Sequence, residues 1–445
     1  MKNNRLIVFI LVCLAITTQA QQNISGTFSP ADDYKWLIVY QLRPGSQAYI
    51  ADTAITGGSF KLTMPQNAQK GTYRLVYAVP QEEFYFDFIY NGEEAIELSF
   101  NMDDGVSFIT SRENQLFNEY FKKIHDIEQE IMGFFTTGKT DEDLFLGLVA
   151  QLKDTQKVYG EKSIGTMAHH FIMANSPYIP SGFEAIEVYL ERKKESYFKA
   201  LDFKNPVLQA SGFLTDKIIN YVFTALPLAQ LSKEKIEDGI QKNLIEVDGH
   251  LKGLDTDFKM HLYYNLWSQT ALKSFNANSD FIYHTYLGPL LRETDNKDII
   301  NEIERHNRLR FGEVAPELLW KNAADETIKL SALSGFKHYV LVFWSSSCSH
   351  CLNELPKFHE KIKEDTTLKV IAVGLEDDTA GWKTVADTLT NFTHAISLGK
   401  WESAYAKLYA IEETPSYFVL DKDKKIIAKP NDYKEVLSFL ESNQL

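Results

Sequence analysis

The 445-residue sequence predicts a multidomain α+β protein with three structured regions. These are an N-terminal antiparallel β-sandwich or barrel at residues 21–110, an all-α region at 111–309 and a C-terminal α/β domain at 310–445. Two changes of pattern predict the boundaries. The apolar period lengthens from two residues to between three and four near Ser111, and strand-like and helix-like segments begin to alternate near Phe311.

The first twenty residues have the pattern of a cleavable secretory signal peptide. Lys2 and Arg5 precede an apolar run at 6–16, and the segment ends in the small residue Ala20. This run is shorter than the roughly 20 residues that a membrane-spanning helix needs. We therefore expect a mature chain that has no transmembrane helix and that is located in the periplasm or cell envelope.

Lipid attachment at Cys13 is the alternative fate of this segment. Val12 is bulkier than the small residue that usually precedes a lipid-modified cysteine, so cleavage after Ala20 is favoured.

The net charge of −14 arises from scattered acidic residues. A chain of this charge lacks the cationic surface that nucleic acids bind, and we expect no nucleic-acid partner.

Residues 21–110 contain short alternating or β-branched runs separated by turn-forming pairs such as Gly57-Gly58 and Asn91-Gly92. Several strands at this spacing are typical of a small antiparallel sandwich or barrel. The aromatic residues among them are assigned to the core, since sheet faces use the same residue types. The predicted strands are 36–41, 49–55, 73–79, 84–90 and 96–100.

Residues 111–309 are predicted to be helical because apolar residues recur at steps of three and four. The first helix has one apolar face formed by Leu116, Tyr120, Ile124, Ile127 and Ile131. Further helices are predicted at 143–158, 183–199, 214–223, 233–251, 258–275 and 297–309. These helices could pack as antiparallel pairs.

Residues 310–445 alternate between strand and helix, which is typical of an α/β fold. The apolar run at 339–344 has the composition of a central strand that is covered on both faces. A closing hairpin at 416–428 adds antiparallel strands and makes the sheet mixed. The remaining predicted elements are helices at 351–363, 379–390 and 401–409, a strand at 368–375 and a final helix from 432.

Cys348-Ser349-His350-Cys351 forms a CxxC motif where the first buried strand passes into its helix. A zinc site would need two further ligands and a c-type haem would need histidine in place of Leu352, so we expect neither a metal nor a cofactor. A structural disulfide that closes so short a loop would constrain the unfolded chain very little. We therefore interpret the motif as a redox-active pair.

The two cysteines are predicted to have different roles. Cys348 lies just ahead of a helix, where unpaired N–H groups and the helix dipole favour the thiolate. Ser349 and His350 are expected to tune the redox properties of the pair, and His350 can add a donor or a positive charge. We predict that Cys348 is the exposed nucleophile and that the more buried Cys351 resolves the mixed disulfide.

Glu354 follows Cys351 by three residues and therefore lies one helical turn along the same face. A carboxylate there could accept the proton of the second thiol, while the alternative is an ordinary solvated glutamate. Pro356 removes an N–H group inside the helix and should kink it. Thr414-Pro415 precedes the strand at 416–420, where a proline is tolerated.

The C-terminal region resembles the thioredoxin superfamily, and specifically its envelope TlpA/ResA-like branch. The resemblance implies a central sheet flanked by helices, thiol-disulfide exchange as the activity and a cis-proline that faces the CxxC motif. It further implies that Glu354 handles protons and that Trp344, Thr414 and Pro415 form the substrate-docking surface. The matching residues are Gly312, Ala315, Pro316, Leu330, Leu333, Phe343, Trp344, Cys348, Cys351, Glu354, Pro356, Thr414 and Pro415.

Three departures from the family pattern bear on the chemistry. Ser347 replaces the tryptophan that usually precedes the first cysteine, and Val342 replaces the buried acid of cytosolic thioredoxins. The Ser349-His350 pair is closer to the Pro-His pair of strongly oxidising periplasmic proteins than to the Gly-Pro pair of reducing ones. The direction of electron flow stays open.

The predicted function is that of an envelope thiol-disulfide oxidoreductase whose partners are cysteine-containing envelope proteins and an upstream redox donor or acceptor. Two alternatives stay open. A thiol peroxidase shares the fold, but Leu341 stands where its motif requires proline, although Ser345 fits. A partner-binding protein could use the thioredoxin-like domain as a scaffold, and the large helical region is consistent with partner binding.

Overall fold

The computed structural model describes residues 23–227, 231–322 and 324–442. The predicted signal peptide, with Cys13 and Ala20, lies outside the described residues. The chain divides into two compact units between Leu290 and Leu291. The helix at 297–309 is thereby grouped with the C-terminal unit, whereas the sequence placed the boundary at 309/310.

The N-terminal unit begins with eight strands that form two four-stranded sheets, ordered β4-β1-β7-β8 and β3-β2-β5-β6. Side chains from both sheets, including Phe28, Leu37, Tyr73 and Leu98, form one buried cluster. The strands are β1 Asn23–Ser29, β2 Trp36–Arg43, β3 Ser46–Ala54, β4 Ser59–Thr63, β5 Gly71–Val76, β6 Tyr85–Tyr90, β7 Ile96–Asn101 and β8 Gly105–Phe108.

The prediction of a purely antiparallel arrangement is wrong for one pair of strands. β1 and β7 pair in parallel, with Ile24 opposite Ile96 and Phe28 opposite Phe100. The other strand pairs of these two sheets are antiparallel. The parallel pair joins strands that are far apart in sequence, and no local turn pattern encodes such a pairing.

A helical segment follows the two sheets, as the change of apolar period predicted. α1 and α2 pack along one another, and Tyr120 of α1 is fully buried. The helices are α1 Arg112–Thr136, α2 Glu142–Lys162, α3 Ala168–Ala174, α4 Ile186–Ser196, α5 Pro206–Gln209, α6 Gly212–Thr224, α7 Lys233–His250, α8 Thr256–Leu272, α9 Asn276–Ile282, the π-helical turn Tyr283–Leu287 and α10 Gly288–Glu293.

The C-terminal unit contains a five-stranded mixed sheet in the order β13-β12-β11-β14-β15, which confirms the predicted α/β fold. β11 pairs in parallel with β12 and antiparallel with β14. The strands are β9 Leu319–Lys321, β10 Thr327–Lys329, β11 His338–Trp344, β12 Leu368–Glu376, β13 Thr393–Leu398, β14 Ser416–Leu420 and β15 Ile426–Ala428.

The central strand β11 is buried on both faces. Tyr339, Leu341 and Phe343 enter one hydrophobic cluster, while Val340, Val342 and Trp344 enter the other. This alternation follows from the two-residue period of a strand. The helices of the unit are α11 Lys297–Leu309, α12 Ser349–Ile362, α13 Ala380–Ala386, α14 Ala404–Leu408 and α15 Tyr433–Ser442, with short 3-10 turns at Leu330–Ala332 and Lys400–Glu402.

The loop that joins β11 to α12 carries the CxxC motif. Pro356 lies inside α12, which continues from Ser349 to Ile362. Within the described part of the chain, no helix combines the length and the apolar character needed to cross a bilayer.

Candidate redox-active site

Cys348 occupies the N-cap position of α12, with φ −89° and ψ 110°. Its sulfur accepts a hydrogen bond from the Cys351 backbone N–H at 3.3 Å. The thiol is half-buried and free. The local sequence therefore places this sulfur against the unpaired N–H groups of the first helical turn.

The environment of Cys348 favours its thiolate. Burial by itself raises the pKa of the Cys348 thiol. Hydrogen bonds from the Cys351 thiol, the Cys351 and His350 backbone N–H groups and the Thr414 side chain outweigh this effect, and the net pKa is lowered. A lowered pKa increases the thiolate fraction near neutral pH, and the thiolate is the form that attacks disulfides.

Cys351 lies in the opposite environment. Its side chain is fully buried in the cluster that contains Trp344, Leu355 and Tyr417. Burial and the hydrogen bond with Cys348 raise the pKa of the Cys351 thiol to about 12. The two sulfurs of the motif thus differ in both exposure and acidity.

The segment before β14 brings Thr414 and Pro415 to the motif. The Cys348 thiol donates a hydrogen bond to the Thr414 carbonyl oxygen at 3.3 Å. The Thr414-Pro415 peptide bond is cis. Two of the three residues predicted to dock substrate therefore lie beside the half-buried sulfur.

Trp344, the third predicted docking residue, is fully buried. It ends β11 and packs in the core cluster beneath the CxxC loop. A side chain with no accessible surface cannot contact a docked partner, so its assignment to the docking surface is wrong. Trp344 alternates with Val340 and Val342 along β11, and its side chain therefore points to the same face of the sheet as theirs.

Glu354 is a buried carboxylate, with 7% of its surface exposed. One oxygen accepts a hydrogen bond from the Tyr417 hydroxyl at 3.0 Å. The other lies 2.9 Å from Nε2 of His350. Burial and then the charge of Glu354 raise the pKa of Tyr417, so that this hydroxyl keeps its proton. This buried, doubly contacted carboxylate differs from the solvated helix glutamate that was the alternative interpretation.

His350 and Ser349 lie on the exposed side of the first turn of α12. The His350 side chain contacts Glu354, while its backbone N–H hydrogen-bonds the Cys348 sulfur and helps to lower the Cys348 pKa. The donor expected from His350 is thus its backbone N–H. The i,i+4 spacing on the helix brings the His350 and Glu354 side chains together.

Sequence reasoning missed Glu376, which ends β12 and is buried. Its carboxylate accepts hydrogen bonds from the Ser346 N–H and, at 3.3 Å, from the Ser345 hydroxyl. β11 and β12 run in parallel with Trp344 opposite Gly374, so the residues that follow both strands meet at one sheet edge. The signal that could have identified Glu376 was an acidic residue at the end of β12, the strand that pairs in parallel with β11.

The described residues contain no group of three or more His, Cys, Asp or Glu side chains that could hold a metal ion. The donors around Cys348 are mainly backbone N–H groups and thiols. The difference in exposure and acidity between the two sulfurs can support attack by one and resolution by the other.

Comparison with known proteins matches residues 311–429 to the AhpC/TSA family model. Solved structures similar to the chain include the C-terminal domain of a protein described as a thiol-disulfide oxidoreductase from Bacteroides thetaiotaomicron, at 25% identity over 30% of this chain and 96% of that one, with a TM-score of 0.28. A domain described as a possible thiol-disulfide isomerase from Cytophaga hutchinsonii has 28% identity over 30% of this chain and 92% of that one, with a TM-score of 0.27.

A thiol-disulfide oxidoreductase from Bacteroides fragilis has 23% identity over 29% of this chain and 98% of that one, with a TM-score of 0.27. No curated protein matches the chain. The family match covers the same segment as the mixed sheet, the CxxC motif at the start of α12 and the cis-proline beside it. The C-terminal domain of this chain therefore has a thioredoxin-like fold, and residues 311–429 within it match the AhpC/TSA family.

Proposed function

We propose that this protein exchanges disulfides with cysteine-containing proteins of the cell envelope through Cys348 and Cys351. One observation carries the proposal. The half-buried Cys348 has a lowered pKa, whereas the fully buried Cys351 has a pKa of about 12. A pair with one reactive and one protected thiol suits stepwise exchange with a macromolecular partner.

In the reducing direction, the Cys348 thiolate attacks one sulfur of a partner disulfide. A Cys348–partner bond forms, the partner S–S bond breaks and the second partner sulfur leaves as a thiolate. Cys351 then loses its proton and attacks the Cys348 sulfur, which releases the first partner sulfur as a second thiolate. Two electrons pass to the partner, and the protein keeps a Cys348–Cys351 disulfide.

The second step requires a proton acceptor because the Cys351 pKa is about 12. We assign this role to the buried Glu354 carboxylate, which lies one helical turn from Cys351. Nε2 of the exposed His350 lies 2.9 Å from that carboxylate and can connect it to solvent. In the oxidising direction the same groups would return the proton to Cys351 as it leaves.

We place substrate docking at the Thr414 backbone and Pro415, beside the reactive sulfur. We infer a location in the periplasm or cell envelope from the predicted signal peptide and a dependence on an upstream donor or acceptor that resets the pair. Residues 21–309 are proposed to select the partner. The assignment of residues 21–309 rests on the hypothesis that the protein binds its partner while it exchanges disulfides with it.

The decisive experiment is a substrate trap in the native compartment. Cys351→Ser should accumulate mixed disulfides through Cys348, and mass spectrometry of the reduced adducts should identify envelope proteins with paired cysteines. Cys348→Ser is the matched control, and it should trap nothing. A trap that captures no protein, or equal capture through Cys351, would contradict the proposed function.

A peroxide assay separates exchange from the peroxidase alternative. Leu341 lies inside the buried strand β11, where the peroxidase motif would need a proline. We expect the wild-type protein to reduce a protein disulfide much faster than it reduces hydrogen peroxide. Faster turnover of peroxide by Cys348, with no trapped partner, would favour the peroxidase.

A further inference from the structure

The N-terminal unit contains a cavity of about 450 Å³ that the redox chemistry does not use. β5 and β6 form one wall, and residues of α1, α3 and α6 form the other. Asp216 on this wall keeps part of its surface accessible to solvent although protein atoms surround its carboxylate, so the cavity is open at this end. Its volume is within the range of about 300 to 1,000 Å³ that small-molecule sites occupy.

Four phenylalanines form a closed ring of contacts on the helical wall. Phe117 stacks on Phe121 with ring centroids 4.4 Å apart, and Phe213 meets Phe121 at 5.8 Å and Phe171 at 5.6 Å. Phe171 returns to Phe117 at 5.5 Å. Each ring is held by two others, so the wall presents a preformed apolar surface to a ligand.

Lys217 also lines the cavity, four residues after Phe213 on α6. Its ammonium donates to the Asn175 side-chain oxygen at 2.9 Å and lies over the Tyr197 ring at 4.6 Å. Among the residues that the structure describes, no carboxylate is within ion-pair distance of it. Burial lowers the pKa of Lys217 to about 8, against the opposing charge of Glu128, so the amine is mostly charged at neutral pH.

The other charges of the cavity are arranged differently. The lining residue Asp87 accepts two hydrogen bonds from Arg74, at 2.8 and 3.0 Å, so its charge is paired. Burial and then the charge of Asp87 raise the pKa of Asp216 to about 6. This end of the cavity therefore repels a second anionic group at neutral pH.

A buried hydroxyl also remains available. Oγ1 of Thr72, on the sheet wall, has no hydrogen-bond partner although the residue is only 6% exposed. Buried polar atoms are usually satisfied, and an unsatisfied one at a cavity wall points to a missing partner. This observation is independent of the charge at Lys217.

We propose that this cavity binds an apolar monocarboxylate, with an aromatic or branched body against the phenylalanine ring and its carboxylate on Lys217. The Lys217 ammonium, which makes no ion pair among the described residues, selects one anionic group, and the Asp216 carboxylate disfavours a second. The side-chain nitrogen of Asn175 can donate beside the ammonium. A buried, charge-assisted hydrogen bond of this kind is stronger than a neutral one.

The test is calorimetric titration of the purified full chain with hydrocinnamate and with its neutral isostere hydrocinnamamide. We expect the carboxylate to bind at least about tenfold more tightly than the amide, the factor that one charge-assisted hydrogen bond supplies. Lys217→Met should remove this preference and leave amide binding in place. Lys199→Met is the matched control, since Lys199 is exposed and lies outside the cavity.

The pH dependence gives a second measurement. Between the Asp216 pKa of about 6 and the Lys217 pKa of about 8, affinity for hydrocinnamate should change little, and it should fall as the Lys217 amine loses its proton above pH 8. The charge of Glu128 on α1 raises the pKa of this amine, and the charge of Lys193 on α4 lowers it. These two side chains form an ion pair with each other at 2.7 Å. Burial raises the pKa of Tyr197 out of this range, and Asp216 titrates near 6.

Several outcomes would overturn the proposal. These are equal binding of acid and amide, unchanged preference in Lys217→Met, preferential binding of phenethylamine or no binding of either probe at millimolar concentration. Circular dichroism on each variant separates a lost site from a lost fold. Because disulfide exchange by Cys348 and Cys351 is measured separately, failure here leaves the proposed redox function intact.

Discussion

Nε2 of His350 lies 2.9 Å from the carboxylate of Glu354, so an exposed imidazole contacts a buried acid. The sequence assigned these residues to different thiols, with His350 acting on Cys348 and Glu354 on Cys351. Their contact makes them one unit that extends from solvent through Glu354 to Tyr417. Proton movement at the second thiol should therefore depend on both residues.

Replacement of Glu354 by Gln should slow release of the partner and leave the first attack nearly unchanged. The amide keeps the size of the side chain but cannot accept the Cys351 proton, which only the second step moves. Stopped-flow exchange should show a long-lived mixed disulfide. Equal slowing of both steps would instead assign Glu354 a general electrostatic influence on both sulfurs.

Two substitutions at His350 should separate its backbone from its side chain. His350→Pro removes the N–H that supports the Cys348 thiolate, so the Cys348 pKa should rise and the couple should become more reducing. Each pKa unit corresponds to about 1.4 kcal/mol, or about 30 mV for two electrons. His350→Ala keeps the N–H and should leave the Cys348 pKa near its wild-type value. The rate of iodoacetamide alkylation as a function of pH would measure the Cys348 pKa in each variant. An equal rise of this pKa in both variants would assign the effect to the imidazole.

The reduced protein should be alkylated at Cys348 alone under native conditions. The Cys348 pKa is lowered by its hydrogen bonds, so its reaction rate should reach a plateau at lower pH than that of a free thiol. Cys351 is fully buried, and its pKa of about 12 keeps it protonated. Mass spectrometry after a short pulse tests this order. Comparable labelling of the two thiols would contradict the assigned roles.

Loss of the Glu376 carboxylate should disturb the CxxC loop, although its hydrogen bonds are to Ser345 and Ser346 and not to the cysteines. Glu376→Ala leaves the Ser346 N–H without its acceptor, which should cost about 1 to 3 kcal/mol of unfolding free energy. The Cys348 alkylation profile should then shift toward higher pH. Glu376→Gln retains one acceptor oxygen and should preserve most of both properties. An unchanged alkylation profile in Glu376→Ala would show that the contact serves stability only.

Lys217→Met should stabilise the N-terminal unit near neutral pH. The pKa of Lys217 is lowered to about 8 in the folded chain, so the unfolded chain binds more protons and stability rises with pH through this range. The substitution should therefore add of the order of 2 kcal/mol below pH 8, after allowance for partial exposure, and progressively less toward pH 10. Denaturant unfolding at several pH values measures this difference. A gain that is independent of pH would contradict the burial of a charged amine.

Local patterns predicted β11, β12 and the β14–β15 hairpin of the C-terminal sheet because each has a clear apolar or turn pattern, whereas its edge strand β13 was not predicted. The His350–Glu354 contact was also within reach, since i,i+4 spacing was visible in the sequence. Glu376 and the parallel β1–β7 pair were not predicted because they depend on strand register, which joins distant segments. Trp344 was assigned by resemblance, and its burial follows from its alternate position along β11.

The hydrogen bond from the Cys348 thiol to the Thr414 carbonyl links docking to the redox state of the pair. A sulfur in a disulfide carries no hydrogen and cannot donate to this oxygen. The carbonyl accepts this internal hydrogen bond only while Cys348 is a protonated thiol, and it is without this donor in both the thiolate and the disulfide. A dithiol partner would find an open backbone acceptor on the disulfide form that can oxidise it, while its disulfide product leaves a form whose Cys348, once protonated, supplies its own donor. The same bond can thereby disfavour rebinding of the product after each turnover in that direction.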